Sequence, residues 1–533
     1  MTQMEKGFVV RAAGLLMIIQ ILSRILGYAR DVVLLNIFGQ NFTTDAFYAA
    51  FSIPDFIYNI LIGGAITAAF IPVFSAYLAK DQKEQAWKTC SVFTSWVLLL
   101  MAVLLVLGYI FTQPLMGVLT QYTAEQMWLP VALARITLIQ ALFMALSAIA
   151  TGVLQSFQHF TWPAIGVLLY NIFIIVGGVL LLKPIEAAFP GYGVAGFSVG
   201  VVVGAFMTLA VQIPTLKKVG CQYHPSLDIH DEGFRKMVKL IIPVLIGLSV
   251  SQINALVTQY LATGLDGGLL TALKTANRFM QLPIGVFAAS IAIAIFPTMT
   301  AQAASGDYPE LKKSMSTGLR TSLYVTIPSA VGMIMLREPI IRLLYEFSGE
   351  FTAYDTTVTG QALLFYCIGL AAYGAILIVL RGFYAIQNTL TPLLISIAAI
   401  LINVVFSLAL VGPMGHCGLA LAYSLAGISQ CLLLLFFLRR KIGPMGMRCL
   451  TRSMVQILIA CAAMALAVWG TVALSDALLG VESKIAQLMQ VGVSVVVGVA
   501  VYIVITGCMK MEEFTTVRNA VMRKLHRGKK AAE

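Results

Sequence analysis

The sequence predicts an all-α polytopic membrane protein of fourteen transmembrane helices, built as two six-helix lobes of a parallel repeat plus two C-terminal helices. Three observations carry this expectation. The 533 residues are 59% hydrophobic and only 11% charged, against about 25% charged in ordinary soluble domains, so a soluble globular protein is excluded. Apolar runs recur from one end of the chain to the other, each long enough to cross a hydrocarbon core of about 30 Å. Gly (44) and Pro (18) sit inside these runs, as they do in membrane helices, and the alternation of outer-membrane barrel strands is missing.

Apolar runs read against their polar breaks place span starts near residues 7, 46, 89, 127, 160, 192, 237, 268, 317, 358, 390, 416, 453 and 485. The first reads as a retained helix rather than a signal peptide, because Arg24, Arg30 and Asp31 follow the apolar stretch where a small-residue cleavage site would stand. The second carries Pro54, Asp55, Tyr58, Asn59 and Gly63-Gly64, the pattern of a kinked helix with a polar strip. Six spans make an N-lobe over 1–220 and six more a C-lobe over 221–440. Two further helices occupy 441–510, and 511–533 is a basic cytoplasmic tail.

Charge orients these spans. With the N-terminus in the cytoplasm, 25 of the 35 Lys and Arg fall on cytoplasmic segments. Four (Lys183, Arg337, Arg342, Lys484) fall outside and six lie within spans, so both termini are expected in the cytoplasm. The net charge of +12 is accounted for by basic loops facing anionic lipid and calls for no nucleic acid.

An internal repeat accompanies the topology. Ile21-Leu22-Ser23-Arg24-Ile25 is echoed by Ser249-Val250-Ser251-Gln252-Ile253, and Phe70-Ile71-Pro72 by Ile295-Phe296-Pro297. An even number of helices per repeat makes the lobes parallel, a design that places a cavity between them and alternates access by rocking.

Several chemistries are not indicated. The eight cysteines form no CxxC pair and the five histidines have no ligand spacing, so no metal site is expected. No GxxxxGK[ST] loop is present to bind ATP phosphates.

The candidates are charges inside spans, each costing roughly 2.5–3.5 kcal/mol at mid-bilayer on insertion scales. Arg135 and Arg381 lie near span ends, where long side chains snorkel. Arg24 stands 13 residues beyond Arg11, or about 20 Å at helical rise, and faces either a ligand or a partner such as Asp31, seven residues on. Arg30 lies near the outer interface, where snorkelling competes with function. Lys274 and Arg278 are four apart and share a helix face, with Thr271 and Gln281 on the same stripe. Like charges at that spacing repel, so a polyanion, or else a nearby carboxylate such as Asp266, would have to stabilise them. Arg offers a fork to phosphate oxygens, and a diphosphate fits the pair. Asp45 either lines the cavity mouth or caps the second span. Asn171, Asn254 and Asn403 are expected to hydrogen-bond between helices.

Ser23-Arg24-Ile25-Leu26-Gly27-Tyr28-Ala29-Arg30-Asp31, Phe38-Gly39 and Thr44-Asp45-Ala46-Phe47 resemble the opening signature of the MurJ (MviN) lipid II flippases in the multidrug/oligosaccharidyl-lipid/polysaccharide (MOP) exporter superfamily. The resemblance continues through Ala276-Asn277-Arg278-Phe279-Met280-Gln281-Leu282-Pro283, Phe351-Thr352-Ala353-Tyr354-Asp355-Thr356, Arg381-Gly382-Phe383-Tyr384 and Gln387-Asn388-Thr389-Leu390-Thr391-Pro392. It implies fourteen helices, inside-to-outside transport of undecaprenyl-diphosphate-linked disaccharide-pentapeptide, and a groove at the last two helices for the polyprenyl tail. It also implies functional roles around the cavity for Arg24, Arg30, Arg278, Asp31 and Asp45. The chain departs from the family pattern at three places. Tyr58, Asn59 and Gly63 replace an arginine pair and a glutamate in span two, Gln281 replaces a glutamate, and Lys274 is an additional charge.

The resulting expectation is a flippase for lipid-linked peptidoglycan precursor in the bacterial inner membrane, doing no chemistry on its substrate and working as a monomer. Its substrate-binding residues would be Arg24, Arg30, Asp31, Asp45, Tyr58, Asn59, Lys274, Arg278 and Gln281. No cofactor is called for; a Na+ or H+ counter-ion or the membrane potential would drive the cycle. The rivals are an exporter of another lipid-linked oligosaccharide and a cation-coupled multidrug antiporter, the latter favouring acidic rather than cationic lobes.

Overall fold

The computed structural model describes residues 3–59, 66–347, 349–444, 447–480, 483–515 and 518. Gly63, Gly64 and the basic stretch 519–533 lie outside the described residues. Every regular element among the described residues is helical. Among these residues, ten helices are long and apolar enough to cross a membrane, or eleven if a pair bent by 70° counts as one span.

Two compact units divide the chain: Met1–Thr271 with Ser348–Glu350, and Ala272–Phe347 with Phe351–Glu533. The first holds α1 (Gln3–Phe38), α2 (Phe42–Ala50), α3 (Ser52–Tyr58), α4 (Ile71–Ala79), α5 (Lys83–Ile110), α6 (Thr112–Leu119), α7 (Trp128–Ser156), α8 (Thr161–Ala188), α9 (Ala195–Ala210), α10 (Ile213–Lys218) and α11 (Glu232–Thr263). The second holds nearly all of α12 (Leu269–Pro283), then α13 (Ala289–Ala304), α14 (Tyr308–Met335), α15 (Arg337–Tyr345), α16 (Ala353–Ala385), α17 (Leu390–Met414), α18 (His416–Ile442), α19 (Met447–Leu479) and α20 (Lys484–Cys508).

Apolar helices in lipid gain little from hydrophobic burial against one another and associate through close backbone packing instead. In the first unit α8 and α9 meet through small residues. A Cβ at Gly200 would stand 2.6 Å from the carbonyl oxygen of Phe173, and one at Gly177 would stand 2.5 Å from Cα of Gly200. Phe70, Phe74, Trp87, Phe93 and Met237 form an aromatic core where α4, α5, α7 and α11 converge. In the second unit Tyr324, Phe383, Leu434, Leu438, Ile457 and Tyr502 knit α14, α16, α18, α19 and α20.

Each unit contains a π-helical turn. In the first unit α4 is entered through a π-helical turn, Ile66–Phe70, with Pro72 in its first turn. In the second, α12 passes through a π-helical turn, Ile284–Ala288, into α13, which contains Pro297. Widened turns of this kind recur at functional positions because they re-aim side chains and leave backbone groups adjustable. By contrast α1 runs unbroken across Gly27.

Candidate functional site

The first cluster stands on α1. Asp31 is buried, at 2% exposure, and its carboxylate accepts from Nε and Nη2 of Arg30 at 3.0 and 2.9 Å. Of the two readings of Arg24, a partnership with Asp31 is therefore set aside. Seven residues on a helix share only an approximate face, whereas the long Arg30 side chain folds back on its chain neighbour. Arg24 is exposed and pairs with no carboxylate among the described residues. Arg30, Asp55 and Tyr58 all lie within electrostatic reach of Tyr170, whose hydroxyl donates to Oε1 of Gln140 at 3.0 Å. Tyr58 and Asn59 are half-buried at the end of α3, and Asp55 is exposed.

Of the two readings of Asp45, the cap of the second span is corrected. The cap of α2 is Asn41, whose side chain accepts from the backbone N–H of Thr43, so Asp45 does not cap its own helix. Its buried carboxylate instead accepts from Gly268 N (2.7 Å), Thr271 N (2.7 Å) and Thr271 Oγ1 (2.6 Å). These donors sit at the N-terminus of α12, where free N–H groups and the helix dipole favour an anion. Gly268 has φ +95°, and a Cβ there would run into the carbonyl of Gln40, so only glycine serves at this junction.

The second cluster is on α12. Lys274 is exposed and Arg278 half-buried; with Asn277 and Gln281 they form one polar stripe. The opposite face carries Leu270, Ala272, Leu273, Ala276, Phe279 and Met280, all buried. Thr271, expected on the stripe, is instead buried against Asp45. Gln281 donates its amide to Asn277 within the stripe. Asn277 also hydrogen-bonds to Tyr423, a residue of α18 stacked on Tyr373 with ring centroids 4.7 Å apart.

The remaining candidates serve packing. Arg135 lies over the ring of Tyr109 and Arg381 over that of Phe296, at 4.9 and 5.1 Å, arrangements that satisfy a cation without a ligand. Asn171, expected to bond between helices, donates to the carbonyl of Val167 on its own helix. Sequence reasoning missed Gly268, Tyr170 and Tyr423. Only the Asp266-Gly267-Gly268 run gave a signal, as a tight turn ahead of a helix.

Known proteins resemble this arrangement. The family model described as "Lipid II flippase MurJ" matches residues 34–490. A probable lipid II flippase MurJ of Buchnera aphidicola subsp. Acyrthosiphon pisum is 28% identical over 419 residues, covering 78% of this chain and 80% of the relative. A solved structure titled "Lipid II flippase MurJ, inward closed conformation" superposes with TM-score 0.77 at 28% identity, covering 93% of this chain and 98% of that one. A multidrug resistance MATE transporter of the MOP superfamily, in an inward-facing conformation, superposes with TM-score 0.64 at 16% identity, over 79% of this chain and 94% of its own, a likeness of fold alone.

Proposed function

Because this chain belongs to the MurJ family of lipid II flippases, we propose that it moves lipid II, an undecaprenyl-diphosphate-linked peptidoglycan precursor, from the inner to the outer leaflet of the bacterial inner membrane. The observation that carries this reading is the stripe on α12, where two cations four residues apart face away from an apolar, buried side. Like charges four residues apart on one helix face repel, and a diphosphate offers both of them acceptor oxygens at once.

Fourteen spans in two parallel six-helix lobes, with α19 and α20 additional, account for the architecture. The ten or eleven apolar helices are completed by α1, by α11 and by the segment that carries α2, α3 and α4. At about 1.5 Å per residue, the 36 residues of α1 and the 32 of α11 each exceed the hydrocarbon thickness. Both termini are cytoplasmic on the 25 to 4 excess of cations. An impermeant thiol reagent applied to intact cells should then label Glu125→Cys and spare the native, exposed Cys221. Labelling of Cys221 from outside would reverse the orientation and the direction of transport.

Arg24, Arg30, Lys274 and Arg278 hold the diphosphate. Asp45 is a positioning residue, fixing the first turn of the helix that carries Lys274 and Arg278. The polyprenyl tail lies in a groove of about 710 Å³ in the second unit, lined by Tyr324, Pro328, Met464, Val468, Gly498 and Tyr502 among others. The protein works by alternating access as a monomer, with an inside-negative potential or a Na+ or H+ counter-ion resetting the empty cationic site. One charge across 100 mV is worth about 2.3 kcal/mol. Depletion should cause lipid II to accumulate in the inner leaflet; accumulation of a different lipid-linked oligosaccharide, with lipid II distribution unchanged, would overturn the assignment.

A further inference from the structure

The first unit contains an apolar groove that the transport reading does not use. It lies between α5 and α11, has a volume of about 450 Å³, and is lined by Phe93, Trp96, Leu100, Phe234, Val238 and Ile242 among others. Its cytoplasmic end is pinned. The carboxylate of Asp231 accepts from Thr89 Oγ1 (2.9 Å), Gln85 Nε2 (3.0 Å) and Phe234 N (2.8 Å). A Cβ at Gly233 would stand 2.6 Å from the Thr89 side chain, so the two helices touch there. Phe234 stacks on Trp96 immediately beyond, with ring planes 16° apart, and past this point the helices part to leave the groove.

The segment before α11 is strapped along α5. His224 N and Ser226 N donate to the hydroxyls of Ser91 and Ser95, both at 3.2 Å, and Tyr223 shares a hydrogen bond with Ser95. The strap turns Tyr223, Leu227 and Ile229 outward, between 45 and 51% exposed. Its two aspartates are occupied, Asp231 as above and Asp228 by Lys88 at 3.6 Å. Arg235, Lys236 and Lys239, exposed on the first two turns of α11, pair with no carboxylate among the described residues. Arg235 is held by Nε on the carbonyl of Ile229. It stands three and seven residues before Val238 and Ile242, on the flank of the groove face, which leaves its terminal guanidinium nitrogens for another partner.

We propose that this groove is a binding site for one anionic phospholipid. A single acyl chain lies between α5 and α11, and Arg235 with Lys239 engages the headgroup phosphate. The partner is chosen by chemistry. The groove walls are apolar, the exposed end carries cations that pair with no carboxylate among the described residues, and anionic lipid concentrates beside such basic segments. A zwitterionic lipid would satisfy the walls but not the cations.

Trp96 reports occupancy directly. The full chain, free of lipid II, is placed in phosphatidylcholine nanodiscs containing a small fraction of acyl-brominated phosphatidylglycerol or, at the same fraction, acyl-brominated phosphatidylcholine. The Trp96 share of the fluorescence is taken as the difference from Trp96→Phe. Brominated phosphatidylglycerol should quench that share at least threefold more than brominated phosphatidylcholine, and Arg235→Gln/Lys239→Gln should bring the two to parity. Equal quenching in the unaltered protein would mean ordinary annular lipid, and absence of quenching by either would mean that no lipid enters; either result overturns the proposal. A dimer in native mass spectra with Trp96 shielded from both lipids would assign the groove to a second copy and overturn it as well. Because lipid II is absent from the assay, none of these outcomes depends on the transport reading.

Discussion

The helical stretches within residues 42–79 of the first unit and residues 269–304 of the second share a π-helical turn and differ in charge. Each contains a five-residue π-helical turn and continues into a helix bearing a proline, Pro72 in one and Pro297 in the other. The charged residues of the first stretch are Asp45 and Asp55; those of the second are Lys274 and Arg278. One acid of the first stretch is consumed in structure, since Asp45 is buried and accepts three hydrogen bonds. The cations of the second sit on an accessible stripe. The break belongs to the backbone design of both units and survives a complete change of charge, whereas charge follows what each helix must hold. A carboxylate suits a helix N-terminus, and paired cations suit a diphosphate.

The largest effect should come from the accessible cations. Arg278→Ala should lower lipid II transport by about ten- to a hundredfold, the loss expected for charge-assisted bonds worth about 1.5–3 kcal/mol, while the protein still inserts at a normal level. Lys274→Ala should cost nearly as much. If the second helix has taken over charge that the first no longer carries, Tyr58→Arg should partly restore transport to Lys274→Ala and add little to the unaltered protein. Equal increments in both backgrounds would show that the two positions do not exchange one role.

Removing the buried acid should reverse the pattern, with stability falling before function is reached. Asp45→Ala strands the N–H groups of Gly268 and Thr271 and the Thr271 hydroxyl, and it should cost about 3 kcal/mol, read as a lowered thermal midpoint in detergent. Asp45→Asn keeps an acceptor and should lose less. An unchanged midpoint for Asp45→Ala would end its positioning role.

The smallest effects concern the packing of the two breaks. A Cβ at Gly152 would stand 2.8 Å from Phe70 and 2.9 Å from Ile66, side chains of the first π-helical turn, so Gly152→Ala should destabilise by about 1–3 kcal/mol. In the second unit, Gly318 abuts only the flexible tip of Ile295 at comparable closeness, and Gly318→Ala should cost less than about 1 kcal/mol. The reverse order in melting experiments would mean that α13, beyond the second break, is packed more rigidly than the first break.

Much of the fold was legible residue by residue. The helix starts at Trp128, Thr161, Leu269, Leu390, His416 and Lys484 fall within a residue of where apolar runs begin, because a stretch that must satisfy its own backbone in lipid has no choice but helix. The shared face of Lys274, Arg278 and Gln281 follows from helical period, although Thr271, assigned to it by the same period, is buried against Asp45. Partners were another matter. Asp45 and Gly268 are 223 residues apart, and nothing in either neighbourhood names the other. Asp31 had two arginines within reach in sequence and took Arg30, since rotamer and burial at the site, rather than spacing, choose between them.

By itself, then, the sequence determined helix class, span order, cation asymmetry and which side chains share a helical face, all of which depend on short-range period and composition. Only the tertiary structure decided that Asp45 serves α12 instead of α2, that Thr271 turns inward while Lys274 three residues on stays accessible, and that α5 and α11 leave a groove beside exposed cations. The physical reason is range: helical period operates over about four residues, whereas a cap, an ion pair or a groove exists only after segments hundreds of residues apart have packed.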